Sequence, residues 1–138
     1  MAGGAAAHRG AFGSARVTAE RRARMRRIWP YRPETDLVVV SPGGDVVAYR
    51  QGRYDEAAGV GESEPVGTRP DHRRPGLARA VCTAVLHAFA DAGGRRAVVR
   101  CRRDAACPVP KRLYGSLGFV PRTRTRTYVA GEIRHGPA

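Results

Sequence analysis

The chain has 138 residues and a formal charge of +13, from 25 Lys+Arg against 12 Asp+Glu. Its length suits one domain able to bury a core without disulfides. Its 42% apolar and 27% charged content excludes wholesale disorder, and no apolar run is long enough to span a bilayer.

The charge by itself suggests nucleic acid. However, Lys111 is the only lysine, Arg supplies the rest, and Asn is absent, a bias that looks compositional. A strong positive field still attracts polyanions, nucleotide cofactors included. Cys82, Cys101 and Cys107 form no C-x-x-C pair. Without a signal peptide, they read as free thiols in a reducing, cytoplasmic setting. No metal site is expected.

Residues 1–10 are rich in Ala and Gly and are expected to be a frayed, flexible N-terminus. Thr18 reads as an N-cap, opening a short and very basic helix over Ala19–Ile28 that Pro30 and Pro33 stop. Its arginines read as a solvated face. Asp36–Ser41 and Val46–Tyr54 form a hairpin around Pro42-Gly43-Gly44-Asp45. Gly61–Thr68 is a third strand, and strict alternation puts Glu62, Glu64, Val66 and Thr68 on one face. Pro65 cannot donate to a ladder and marks an edge, bulge or splay.

After the basic turn Pro70–Pro75, Leu77, Val81, Val85, Ala88 and Phe89 predict a helix from Gly76 to Ala92, ended by Gly93-Gly94. Arg96–Cys101 reads as a buried strand, which makes strand–helix–strand a parallel crossover. Pro110–Leu117 is a short helix, and Phe119–Pro121 and Thr125–Val129 are expected to close the sheet. The fold class is therefore α/β (α+β), a mixed, mostly antiparallel sheet with flanking helices, over 11–130. Residues 131–138 form a flexible C-terminus.

In Arg73-Arg74-Pro75-Gly76-Leu77-Ala78, Gly76 and Ala78 let a ligand approach the unpaired N–H groups of a helix start. Arg73, Arg74 and Arg79 add positive charge around them. Close helix packing is the alternative use of such small residues.

Two stretches carry a family resemblance. Glu62–Ala92, with Arg73-x-x-Gly76-x-Ala78, resembles the acetyl-CoA-binding motif of GNAT superfamily N-acetyltransferases. Leu113-Tyr114-Gly115-Ser116-Leu117-Gly118-Phe119 resembles the family's second signature, Leu-Tyr-x-x-x-Gly-Phe. Their order and their spacing of about forty residues are more specific than either alone.

The resemblance implies direct acetyl transfer from acetyl-CoA, as co-substrate, to an amine acceptor in a ternary complex. An alkylammonium must lose a proton before it attacks, and a carboxylate can take it. Glu62, eleven residues before Arg73, sits where some members place that base, and Glu64 is the second candidate. Glu62 lies roughly 20 Å along an ideal strand from Thr68, about the reach of a pantetheine arm. Tyr114 matches the family's acid, which protonates the departing thiolate. A backbone N–H near Val66 or Thr68 would polarise the thioester carbonyl.

Three departures stand out. Pro75 removes one N–H from the loop, and Cys107 lies where many members have an Asn near the cofactor. His8–Phe12 looks like the end of the family's first helix, so the first strand is expected to be missing, by truncation or because a partner domain precedes. A homodimer is the other arrangement left open. Two further readings stand beside the enzyme. One is a GNAT-fold CoA-binding sensor or interaction domain without catalysis. The other is a nucleic-acid binder using Arg21, Arg22, Arg24, Arg26 and Arg27.

Overall fold

Small side chains decide how the chain begins. The computed structural model describes residues 2–13, 16–73, 76–101 and 108–124. Ala2–Phe12 forms helix α1, not the frayed segment expected of residues 1–10. Gly4, Ala5 and Ala7 are buried. A Cβ added at Gly3 or Gly4 would come within 2.7 Å of Val46 or 3.0 Å of the Arg22 guanidinium. Residues that make a weak isolated helix let this one lie directly against its neighbours, and packing supplies the stability that propensity lacks. His8, far from being at a loose end, hydrogen-bonds the Tyr49 hydroxyl.

Thr18 caps helix α2 (Ala19–Met25) by accepting the Arg21 N–H at 3.1 Å. The helix is three residues shorter than expected because the Arg27 and Ile28 N–H groups turn back to the Arg24 and Met25 carbonyls in tighter i to i−3 bonds. Nor is its basic run a uniform solvated face. Arg22 is buried, ion-paired with Asp36 and stacked 5.4 Å from the Tyr49 centroid. Arg26 Nε donates to the Tyr31 hydroxyl at 2.7 Å, which in turn donates to Asp36 at 3.0 Å. Asp36 thus fastens α2 to the sheet. That leaves these two arginines out of any phosphate-binding row.

Strands β1 (Tyr31–Val40), β2 (Val46–Asp55) and β3 (Val60–Thr68) pair antiparallel, and β4 (Arg96–Val98) joins β3 in parallel, giving the order β1-β2-β3-β4. Gly44, at φ 86°, turns the predicted hairpin. β1 starts earlier than expected through a register shift between Tyr31 and Asp36, which takes Pro33 out of the ladder. Helix α3 (Leu77–Asp91) forms the parallel crossover, and α4 (Pro108–Ser116) follows. Phe119–Pro121 is not a strand: Gly118 adopts φ 85° and the Phe119 N–H returns to the Tyr114 carbonyl at 3.0 Å, capping α4. Thr125–Val129 and 131–138 lie outside the described residues. No described helix is long and apolar enough to cross a membrane.

The two sheet faces take different helices. Gly52 and Gly61 lie under the Phe89 ring of α3, while Gly67 meets Tyr49 and the Ala11 and Phe12 side chains of α1. Tyr54, Val85 and Phe89 form the core on the α3 side, with Leu37, Leu86 and Ala97 packed around them. Burying Phe89 contributes on the order of 1.5–3 kcal/mol. A Cβ at Gly52 would stand 2.8 Å from Phe89 Cζ and 2.9 Å from Thr35 Cβ. We therefore expect Gly52→Ala to cost about 1–3 kcal/mol through overpacking, read as a lower midpoint in urea unfolding with the m-value unchanged.

Candidate functional site

The site is built around an irregularity in β3. Gly52 pairs with Ser63 and Arg50 with Val66, so three steps on β3 oppose two on β2, a bulge at Glu64 and Pro65. One extra residue reverses the alternation beyond it. Val66 and Thr68, opposite Arg50 and Ala48, share the α3 face, whereas Glu62, opposite Arg53, lies on the other face. The expectation that Glu62, Glu64, Val66 and Thr68 share one face is corrected by this bulge.

β4 pairs only with Val60, Gly61 and Glu62. Past Glu62 that edge of β3 has no strand partner among the described residues, so Glu64–Thr68 line a splay with backbone groups open to a ligand. Burial raises the Glu64 carboxyl above its ordinary pKa, opposed by the Arg50 cation and a hydrogen bond from the Arg100 backbone. By register, Glu64 sits at the splay itself.

Glu62 opens instead onto a cavity of about 540 Å³ between α2 and the sheet, which Trp29, Arg53 and Arg100 also line. Its carboxylate is ion-paired with Arg100. Tyr114 approaches the splay from the opposite face. Its side chain is 5% exposed, with Phe119 edge-on at 5.8 Å and the Arg50 guanidinium 5.3 Å from its ring centroid. Burial pushes the phenol up to about 12, with Arg50 pulling it down. The hydroxyl consequently keeps its proton at any physiological pH.

The strand leads through the 3-10 turn Pro70–His72 to the start of α3. Gly76 is its N-cap at φ 117°, with no side-chain cap, and a Cβ there would meet nothing within 4 Å. Ala80 N–H is the first to bond back to Gly76, at 2.7 Å, so the N–H groups of Leu77, Ala78 and Arg79 have no intrahelical acceptor. Arg79 is exposed, and Arg73 is exposed with Nη2 3.4 Å from the Ala11 carbonyl. An uncapped helix start with open space and flanking guanidiniums suits an anionic group such as a phosphate. Arg74, Pro75 and Cys107 lie outside the described residues.

Arg50 is what sequence reading missed. It is 1% exposed, with Nε on the Ser63 hydroxyl, Nη2 2.8 Å from the Ser63 carbonyl and Nη1 2.7 Å from Cys82 Sγ. In sequence it is one more arginine in an arginine-rich chain. Only the pairing of β2 with β3, under α3 and α4, buries it beside Tyr114.

Residues 7–119 match the model of the acetyltransferase (GNAT) family. Among solved structures, a GCN5-related N-acetyltransferase from Sphaerobacter thermophilus matches with a TM-score of 0.69 at 28% identity, over 84% of this chain and 36% of that one. The chain therefore spans little more than a third of that relative. The ribosomal-protein-S18-alanine N-acetyltransferase of Escherichia coli matches with 0.67 at 21% identity, over 87% and 72%. Glucosamine-6-phosphate N-acetyltransferase from Arabidopsis thaliana matches with 0.65 at 17% identity, over 84% and 81%. The last two likenesses concern the fold alone. A search of curated proteins found no match.

Proposed function

Because the chain belongs to the acetyltransferase (GNAT) family, we propose that it moves an acetyl group from acetyl-CoA directly to an amine held in the cavity beside Glu62. The observation that carries this reading is the splay after Glu62, with Tyr114 on one face of the sheet and Glu62 with its cavity on the other.

Acetyl-CoA supplies the activated acyl group as a thioester. Leu77, Ala78 and Arg79 offer backbone N–H groups to its pyrophosphate, with Arg73 and Arg79 adding charge. A backbone N–H at Val66 or Thr68, on the splayed edge, polarises the thioester carbonyl. Glu62 takes the proton from the acceptor ammonium, directly or through one water. Tyr114 donates its hydrogen to the leaving sulfur, and Arg50 stabilises charge that develops on the phenol oxygen.

The test is acetyl transfer onto a panel of amines, followed by mass spectrometry, alongside thermal stabilisation by acetyl-CoA. Stabilisation without transfer to any amine would favour a CoA-binding module instead. Glu62→Gln refines the base assignment. Without a base, the residual rate follows the free-amine fraction, which rises tenfold per pH unit below the amine's own pKa. The ratio of wild-type to variant kcat/KM is therefore expected to be about 10²–10⁴ near neutrality and to shrink as pH rises. A ratio independent of pH would remove Glu62 as the base.

A further inference from the structure

The cavity beside Glu62 holds a cation that proton transfer does not use. Its α2 side is apolar, with Ile28 and Trp29 respectively 63% and 76% exposed. Its sheet side carries Arg53, Asp55, Glu62 and Arg100. Three of these four are occupied: Arg100 pairs with Glu62, and Asp55 accepts the Ala58 N–H at 3.1 Å. Arg53 is half-buried, and among the described residues its side chain makes no hydrogen bond or ion pair. A partly desolvated guanidinium gains most from an oxyanion that can meet its planar fork.

Position sets the spacing. Arg53 and Glu62 are directly opposite in the β2–β3 register, so their Cβ atoms leave the same face about 5 Å apart. Both side chains line the same cavity, so one small molecule can meet Glu62 with an amine and Arg53 with an anion. Trp29 offers an aromatic surface beside them.

We propose that Arg53 is the acceptor's anion site, and that the acceptor is a compact amine bearing a carboxylate or phosphate-type oxyanion near its nitrogen and an apolar substituent against Trp29. This rests on the reading of Glu62 as the acceptor end of the site. A polyamine or aminoglycoside lacking an anion would leave Arg53 unpaired and crowd ammonium groups against it.

Trp29 is the chain's only tryptophan and lines the cavity, so its fluorescence reports acceptor binding without catalysis. Three probes differ only in the anion: phenethylamine, L-phenylalanine and 1-amino-2-phenylethylphosphonate. Each is titrated against Trp29 fluorescence and tested for acetylation, with wild type, Arg53→Gln and Arg53→Lys. The wild type is expected to bind and acetylate an anionic probe about tenfold or more better than phenethylamine, the scale of one charge-assisted hydrogen bond. The carboxylate and phosphonate arms show which oxyanion is preferred. Arg53→Gln should erase the preference, through Kd and KM more than kcat, and Arg53→Lys should keep part of it.

Equal binding of phenethylamine, a preference that survives in Arg53→Gln, or no binding of any probe would overturn the anion site. Anion-selective binding without acetyl transfer would keep the site and remove the transferase reading. Acetylation of phenethylamine as fast as phenylalanine would do the reverse.

Discussion

Replacing Gly76 by Asp is expected to abolish the thermal stabilisation that acetyl-CoA gives the wild-type chain. Gly76 holds φ 117°, a conformation costing an L-residue on the order of 1–3 kcal/mol. Open space around it means that this cost is backbone strain and not a clash. The larger effect is electrostatic. An aspartate here points its carboxylate at the unpaired N–H groups of Leu77, Ala78 and Arg79, occupying the donors proposed for pyrophosphate and repelling its charge. Binding at a hundredfold excess over Kd stabilises a protein by about 2.7 kcal/mol, easily seen by scanning fluorimetry. Gly76→Ala separates the two effects, since it carries the strain without the charge and should lower the melting temperature while keeping part of the ligand-induced rise. Full retention of that rise in Gly76→Asp would move the pyrophosphate site elsewhere.

Tyr114→Phe should lower kcat by about 10²–10⁴ while changing the Kd for CoA by no more than about threefold. The ring is retained, so the Arg50 stacking and the Phe119 edge contact survive and the fold should hold. What disappears is one hydroxyl donor. With the phenol pushed up to about 12, the wild-type hydroxyl is protonated across the working range, so the deficit should be the same from pH 6 to 9. Steady-state kinetics with calorimetric CoA binding decides this. Unchanged turnover would make Tyr114 a packing residue only.

Much of the site was legible because its signals are local. The glycine that opens α3 and the Leu-Tyr pair of α4 sit in short segments whose caps and periods are self-contained. The Thr18 cap and the Gly44 turn were readable for the same reason. Helix α1 was not. Its Ala and Gly residues carry no amphipathic signal, and their value lies in how closely they approach Val46 and Arg22. The face of Glu62 was also misread, because one extra residue at Glu64–Pro65 reverses an alternation that looks unbroken in the sequence.

The sequence by itself determined the order of the central elements and the glycine-opened start of α3, while the resemblance of two of its stretches to a family named the candidate acid and base. The elements and the helix start follow from capping, turn and period rules that act within a few residues. The tertiary structure alone decided which of the arginines matter. Arg22 is consumed by Asp36, Arg50 is buried beside Tyr114, Arg100 holds Glu62, and Arg53 stands in the cavity without a partner among the described residues. A guanidinium's role depends on what long-range strand pairing and helix packing set within hydrogen-bond distance of it, and nothing in its neighbours along the chain records that.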